Sequence, residues 1–277
     1  MCHRTSHPVF PIPNPLPYLR FPIPPIFHFS IFNFLMPTLN LHLPTSWQQL
    51  SALQLRFVFR LLTKDFTLPQ IKTLCLLKWS HLKVVRKEGQ NTVVSHDGKE
   101  YPLTANQLYD ATATLNYLGD IPKYPVRLSR IGLHRAVRAD LQELPFSDYI
   151  ILDNLYQGYL QTRKTQILDE MAQTLYQADH IRLTKAEAIS IFYWFAAVKQ
   201  LFATTFTSFF KATSWEGSSN TPTYDQLRDI MNAQIRALTN GDITKEEAVL
   251  KMDCWRALTE LNAKARDYEE IKSSHHP

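Results

Sequence analysis

Residues 184–210 read TKAEAISIFYWFAAVKQLFATTFTSFF. Thr184 and Glu187 have the spacing of a capping box, so a helix is predicted to start immediately after Thr184. Apolar side chains then fall on almost every side of that helix, and such a helix must be buried in a protein core or in a membrane. Lys199 and Gln200 stand near its middle, where a charge in a bilayer would cost about 2.5–3.5 kcal/mol. The stretch therefore predicts a central core helix, with Lys199 snorkelling to its surface.

The sequence on either side supplies elements to cover it. Trp47, Leu50, Leu53, Leu55, Val58, Leu61 and Leu62 recur at helical spacing behind Thr45 and Ser46, either of which can cap the helix. A second helix starts at Thr67, with Pro69 in its first turn and Ile71, Leu74, Cys75 and Leu77 on one side. Between residues 82 and 103 the period changes. Two glycine-bearing turns, EGQN and HDGK, separate short β-branched runs, which predicts a small antiparallel meander.

Thr104 and Gln107 form another capping box, opening a helix that carries Leu108, Ala111, Leu115 and Leu118 and ends at Gly119. A proline-bearing connector follows. Beyond Pro145, the run DYIILDNLYQGYLQ presents a broad apolar face through Ile151, Leu155 and Tyr159. Gly158 inside it costs about 1 kcal/mol relative to Ala, which points to a close helix crossing.

The segment SWEGSSNTPT, residues 214–223, is a small, polar linker, with its boundary placed at 214–222. After it, residues 223–277 read as a helical hairpin. Leu227, Ile230, Met231, Ile235 and Leu238 make a narrow stripe that Asn240-Gly241 stops, and Thr244 with Glu247 caps a second helix carrying Met252, Trp255, Leu258, Leu261 and Tyr268. A loop this short turns the two helices back on each other as an antiparallel pair. The second helix outruns the first, so its apolar residues are expected to contact a protein partner.

Residues 1–35 hold eight of the seventeen prolines and no Asp, Glu, Lys or Gly. Prolines at 8, 11, 13, 15, 17, 22, 24 and 25 forbid a continuous helix or central strand before residue 25. The apolar run at 26–36 is broken by His28, Ser30 and Asn33 and lacks a cleavage site, which speaks against a secretory signal. It is also only about half the 20 residues a bilayer needs. The segment reads as a disordered or upstream extension, with translation expected to begin at Met36. A mainly helical domain over 36–213 then precedes the linker.

The chain is 277 residues long, with 45% apolar and 20% charged residues. That is ordinary globular composition, far from the signature of disorder. A formal charge of +5 is too mild to call for nucleic acid by itself. Cys2, Cys75 and Cys254 are widely spaced and odd in number, matching neither a disulfide framework nor a zinc site and suiting a reducing cytoplasm. There is no P-loop, dinucleotide fingerprint, HExxH or GxSxG, so the expectation is a non-enzymatic cytoplasmic protein with no cofactor and no metal.

Two features remain. Residues 123–138, KYPVRLSRIGLHRAVR, contain Lys123, Arg127, Arg130, Arg135 and Arg138 and no acid. Guanidiniums on an irregular segment can grip phosphate or an acidic partner; the plainer reading is a solvated connector paired with Asp140, Glu143, Asp148 and Asp153. Asp153, inside an apolar run, is expected to be structural, paired with a cation from 127–138.

The segments LPTSWQQLSALQLRFVFRLL, PVRLSRIG, DNLYQGYL, FYWFAAVKQLF and MNAQIRALTNGDITKEEAVLKMDCWRALTELNAKARDYEE together resemble a protein family of Bacteroidales genomes associated with prophage tail-gene regions. The resemblance starts near Met36 and covers essentially all that follows. It implies a tail assembly chaperone or small tail component and brings no catalytic residues to carry over. Sequence thus predicts a mainly α globule with a small antiparallel β-meander and a C-terminal antiparallel helix pair, acting as a protein-binding factor. The alternative is a nucleic-acid-binding or regulatory module using residues 123–138.

Overall fold

The computed structural model describes Leu39, residues 41–213 and residues 224–274. The extension over 1–35 and the linker over 214–222 lie outside the described residues. In chain order the elements are α1 (Ala52–Leu62), α2 (Leu68–Trp79), β1 (Lys83–Glu88), β2 (Asn91–His96), β3 (Lys99–Leu103), α3 (Ala105–Ala113), β4 (Arg130–Ile131), β5 (His134–Arg135) and α4 (Phe146–Thr162). They continue with α5 (Gln166–Leu175), α6 (Lys185–Thr205), α7 (Thr207–Thr213), α8 (Tyr224–Thr239), α9 (Glu246–Leu250) and α10 (Cys254–Ser274). The fold is mainly α, with one three-stranded antiparallel sheet and a C-terminal helix pair, α8 and α10, in contact.

Helix α6 is the hub. Its capping box is formed by Thr184 and Glu187, and Ile189, Ile191, Trp194, Phe195, Val198 and Phe202 are buried. Aromatic rings reach it from four directions: Phe59 of α1 meets Tyr193, Tyr149 and Tyr156 of α4 meet Phe195, Tyr176 meets Trp194, and Trp255 of α10 meets Phe202. Aromatic pairs of this kind add about 0.5–1.5 kcal/mol each beyond their area. Among the described residues, no helix is long and apolar enough to cross a membrane.

The meander has strand order β1-β2-β3. Asp97 and Gly98 take positive φ values of 50° and 77°, as the two centre positions of the tight β2–β3 turn require. Capping boxes are present at Thr67 and Thr104.

Several expectations are corrected. Helix α1 is capped by Ser51, whose side chain accepts from the Gln54 amide and whose own amide donates to Gln54; Thr45 and Ser46 instead precede a short 3₁₀ turn, Trp47–Gln49. The helix after Thr104 ends at Ala113, and Leu118 and Gly119 fall in a separate 3₁₀ turn. The apolar run of 188–210 breaks at Phe206 into α6 and α7. Helix α5, with Leu168, Met171, Ala172 and Leu175 buried, is an addition to the elements expected from sequence.

The second C-terminal helix is not continuous. Asp242, not Thr244, supplies the cap, accepting from the Thr244 amide. The chain then breaks between Leu250 and Cys254, where Asp253 accepts from the Arg256 amide and starts α10 afresh. Leu258 and Leu261 are buried in the same apolar cluster as the α6 side chains, and Met252 and Trp255 pack against it. The helix pair therefore docks on its own body through α10, with α8 packed against α10.

Gly158 marks no tight crossing. A Cβ there would meet only Ile167 Cδ1 at 3.8 Å, an ordinary contact. Gly158→Ala is accordingly expected to stabilise the fold by about 0.5–1 kcal/mol, since it removes backbone freedom from the unfolded chain at no steric cost. Urea denaturation checks this; a lower midpoint would contradict the packing described.

Candidate binding surface and cleft

Between the 3₁₀ turn ending at Gly119 and the start of α4, residues 120–145 form almost no regular structure. Their peptide groups therefore need partners from elsewhere, because an unmet buried carbonyl costs about 1–3 kcal/mol. The body supplies them one after another. Trp47 Nε1 donates to the carbonyls of Tyr117 and Asp120 at 2.9 and 3.1 Å, and Gln48 Nε2 donates to Tyr124 O at 3.1 Å. The Tyr176 hydroxyl donates to Leu128 O at 2.7 Å, and Arg56 donates to Arg130 O. Trp194 Nε1 reaches Ala139 O at 2.7 Å and Trp255 Nε1 reaches Asp140 O at 2.6 Å.

Backbone pairs complete the attachment. Val137 N donates to Leu175 O, Cys254 N to Leu144 O and Phe146 N to Met252 O. Leu141 and Glu143 sit at φ 59° and 69°, the left-handed region that costs a non-glycine residue about 1–3 kcal/mol. Both are held there: Cys254 Sγ donates to Leu141 O at 3.1 Å, and Glu143 N donates to Asp253 Oδ2 at 2.6 Å. The connector is a strap fastened to α1, α5, α6 and α10.

On this strap the five basic residues go to different places. Lys123 is exposed. Arg130 and Arg135 face each other as Cα partners in the β4–β5 hairpin, both exposed, with Leu133 at the tip 96% exposed. This hairpin is a second piece of β-structure that the sequence did not announce. Arg138 turns to Asp140 with bonds of 3.3 and 3.2 Å. Arg127 alone turns inward, its guanidinium 6.0 Å from the Trp194 ring.

Of the connector reading, solvent exposure holds for Lys123, Arg130, Arg135 and Arg138, but pairing with a nearby acid holds for Arg138 only. Among the described residues, no carboxylate lies within 4.0 Å of Lys123, Arg127, Arg130 or Arg135. Partial burial pushes the Arg127 pKa down, and the Arg135 charge adds to that, while Tyr176 and Asp140 oppose it. For Asp140, partial burial is outweighed by Arg138 and the Gln142 amide, and its carboxyl is held below the ordinary value.

Arg127, Arg138, Asp140, Tyr124, Leu201 and Trp255 line one cleft of about 500 Å³. Arg127 and Arg138 are legible in the sequence, but their convergence with Trp255 is not: the pattern places Trp255 on an outward contact helix together with Leu258, Leu261, Met252 and Tyr268. Of that set only Tyr268 is well exposed, at 67%. Trp255 could have been recognised by its need, when half-buried, for an acceptor for its indole N–H.

Elsewhere the chemistry is quiet. Burial pushes the thiols of Cys75 and Cys254 up to about 12, so neither is a nucleophile at neutral pH. Among the described residues no group of three His, Cys, Asp or Glu side chains could hold a metal ion. The chain matches no protein-family model, no curated protein and no solved structure.

Asp153 is paired, but not with the strap. Lys199 Nζ of α6 lies 2.8 Å from its Oδ1, an ion pair whose geometry is not that of an aligned hydrogen bond. The ammonium also sits 5.1 Å from the Phe210 ring and 6.0 Å from that of Tyr149. Lys199 therefore does leave the core, but it ends on a carboxylate under aromatic cover. Asp153→Asn should cost about 1–3 kcal/mol in denaturant unfolding, because it strands a largely desolvated cation. Replacing both partners, as Asp153→Leu with Lys199→Met, should recover most of that loss. Unchanged stability in the single variant would contradict the pairing.

Proposed function

We propose that the protein is a non-enzymatic protein-binding factor whose contact surface is the β4–β5 hairpin of the strap. One observation carries this reading: Leu133 stands 96% exposed at the tip of a hairpin whose base is fixed by Arg56 and Tyr176, with Arg130 and Arg135 on either side. A large apolar side chain flanked by guanidiniums on a preorganised support fits a partner that offers an apolar pocket rimmed by carboxylates. The C-terminal helix is replaced in this role because Leu258 and Leu261 are spent on the core. A tail assembly chaperone or small tail component is the form of such a factor that the family resemblance favours, on the resemblance alone.

A second reading, nucleic-acid binding, is favoured by Lys123, Arg130 and Arg135, which have no carboxylate within 4.0 Å among the described residues. The two readings differ in their salt response. Each neutralised phosphate releases counterions, so oligonucleotide affinity would collapse between about 50 and 200 mM salt.

The test is quantitative affinity purification from native cells with the full chain. Leu133→Asp is expected to weaken capture of the specific partner by roughly 30-fold, the effect of losing an anchor worth about 2 kcal/mol. Tyr268→Glu should leave it intact. Partner capture unchanged in Leu133→Asp, or steeply salt-dependent oligonucleotide binding lost on Arg130→Glu with Arg135→Glu, would overturn the protein-binding reading.

A further inference from the structure

We infer that the cleft between the strap and helices α6 and α10 is a binding site for a small organic oxyanion, a molecule with an apolar or aromatic body and a carboxylate or phosphate head. The inference is independent of the hairpin and of any macromolecular partner.

Charge comes first. Arg127 is partly buried, and its Nε is shielded from solvent without any hydrogen-bond acceptor. Among the described residues the guanidinium has neither a carboxylate within 4.0 Å nor a hydrogen bond, and it lies 6.0 Å from the Trp194 ring. A partly desolvated cation without a directly paired carboxylate is costly to keep, so its presence calls for a partner that the described residues do not provide. The one acid in the cleft, Asp140, is engaged by Arg138 at 3.2 Å. Two guanidiniums against one carboxylate leave the cleft a net charge of +1.

Shape and lining decide the rest of the ligand. A volume of about 500 Å³ lies within the usual range of roughly 300–1,000 Å³ for small-molecule sites. Apart from the three charged residues, the walls include Tyr124, Leu201 and Trp255. The Trp255 indole N–H is already engaged by Asp140 O, so this side chain offers a ligand apolar ring surface rather than a donor. Inorganic phosphate would satisfy the guanidiniums but leave these walls wet. A planar or apolar body beneath the oxyanion would cover both.

The site is also built in advance. The lining residues Ala139 and Asp140 are fixed by the indoles of Trp194 and Trp255, so little loop ordering is needed on binding.

Isothermal titration of the intact chain tests this with four probes: phenyl phosphate, phenylacetate, inorganic phosphate and benzyl alcohol. Saturable binding of phenyl phosphate or phenylacetate is expected, with the preference between them naming the head group. Inorganic phosphate and benzyl alcohol should each bind at least roughly tenfold more weakly, since each lacks one half of the ligand. Arg127→Met should weaken the favoured probe by roughly 10- to 100-fold. The same variant should unfold at an equal or higher denaturant midpoint, because it removes an unpaired, partly desolvated charge; a guanidinium that merely holds the fold would give a lower one. Arg127→Lys should recover part of the affinity. The inference is overturned if no oxyanion binds saturably, if Arg127→Met binds as tightly as the parent chain, or if benzyl alcohol or inorganic phosphate matches phenyl phosphate.

Discussion

A peptide segment without regular structure cannot lie on a folded body unless its carbonyls and amides find partners, and this requirement organises the molecule. Residues 120–145 meet it by borrowing donors from side chains that also form the core. Trp47, Trp194, Trp255 and Tyr176 each bury an aromatic body and aim one N–H or O–H at a strap carbonyl. Each bond contributes only about 0.5–1.5 kcal/mol net. Together they place the hairpin, the cleft and the break before α10. The hub helix α6 thus acts twice, through its apolar bulk and through the Trp194 indole. Core and surface are coupled by the same residues.

That coupling explains which parts of the fold were legible in sequence. Elements encoded by local chemistry are legible: the helix start at Thr67, the capping boxes at Thr104 and Thr184, the Asp97-Gly98 turn, and the all-round apolar face of α6 each depend on residues a few positions apart. Elements decided at long range did not. The C-terminal helix breaks after Leu250, where Met252 and Cys254 exchange backbone bonds with Phe146 and Leu144, more than a hundred residues earlier. Asp253 then serves both as the new cap and as acceptor for Glu143. An aspartate just ahead of an apolar run was a usable local cap signal, and it was outweighed by the stronger-looking Thr244 and Glu247 pair.

The basic segment shows the same division. Its composition was evident, but composition cannot say which way a side chain turns. One residue, Arg138, satisfies itself on Asp140 two positions away; two, Arg130 and Arg135, line up across a hairpin; one, Arg127, turns inward beside Trp194. The Asp153 carboxylate illustrates the converse. Its need for a cation was readable from the apolar residues around it, yet the partner is Lys199, the residue whose own position in an apolar helix had called for an outlet. Each of the two anomalies in the sequence resolves the other.

The central claim, that aromatic donors fasten the strap, is most directly tested by amide hydrogen exchange in Trp194→Phe, which keeps the ring in the core and removes only the N–H. Exchange should accelerate at strap amides near Ala139, among them Val137 and Leu141, while the amides of α6 stay protected. Unchanged strap protection alongside an intact helix would contradict the account, as would a strap that exchanges at unfolded-chain rates in the parent protein.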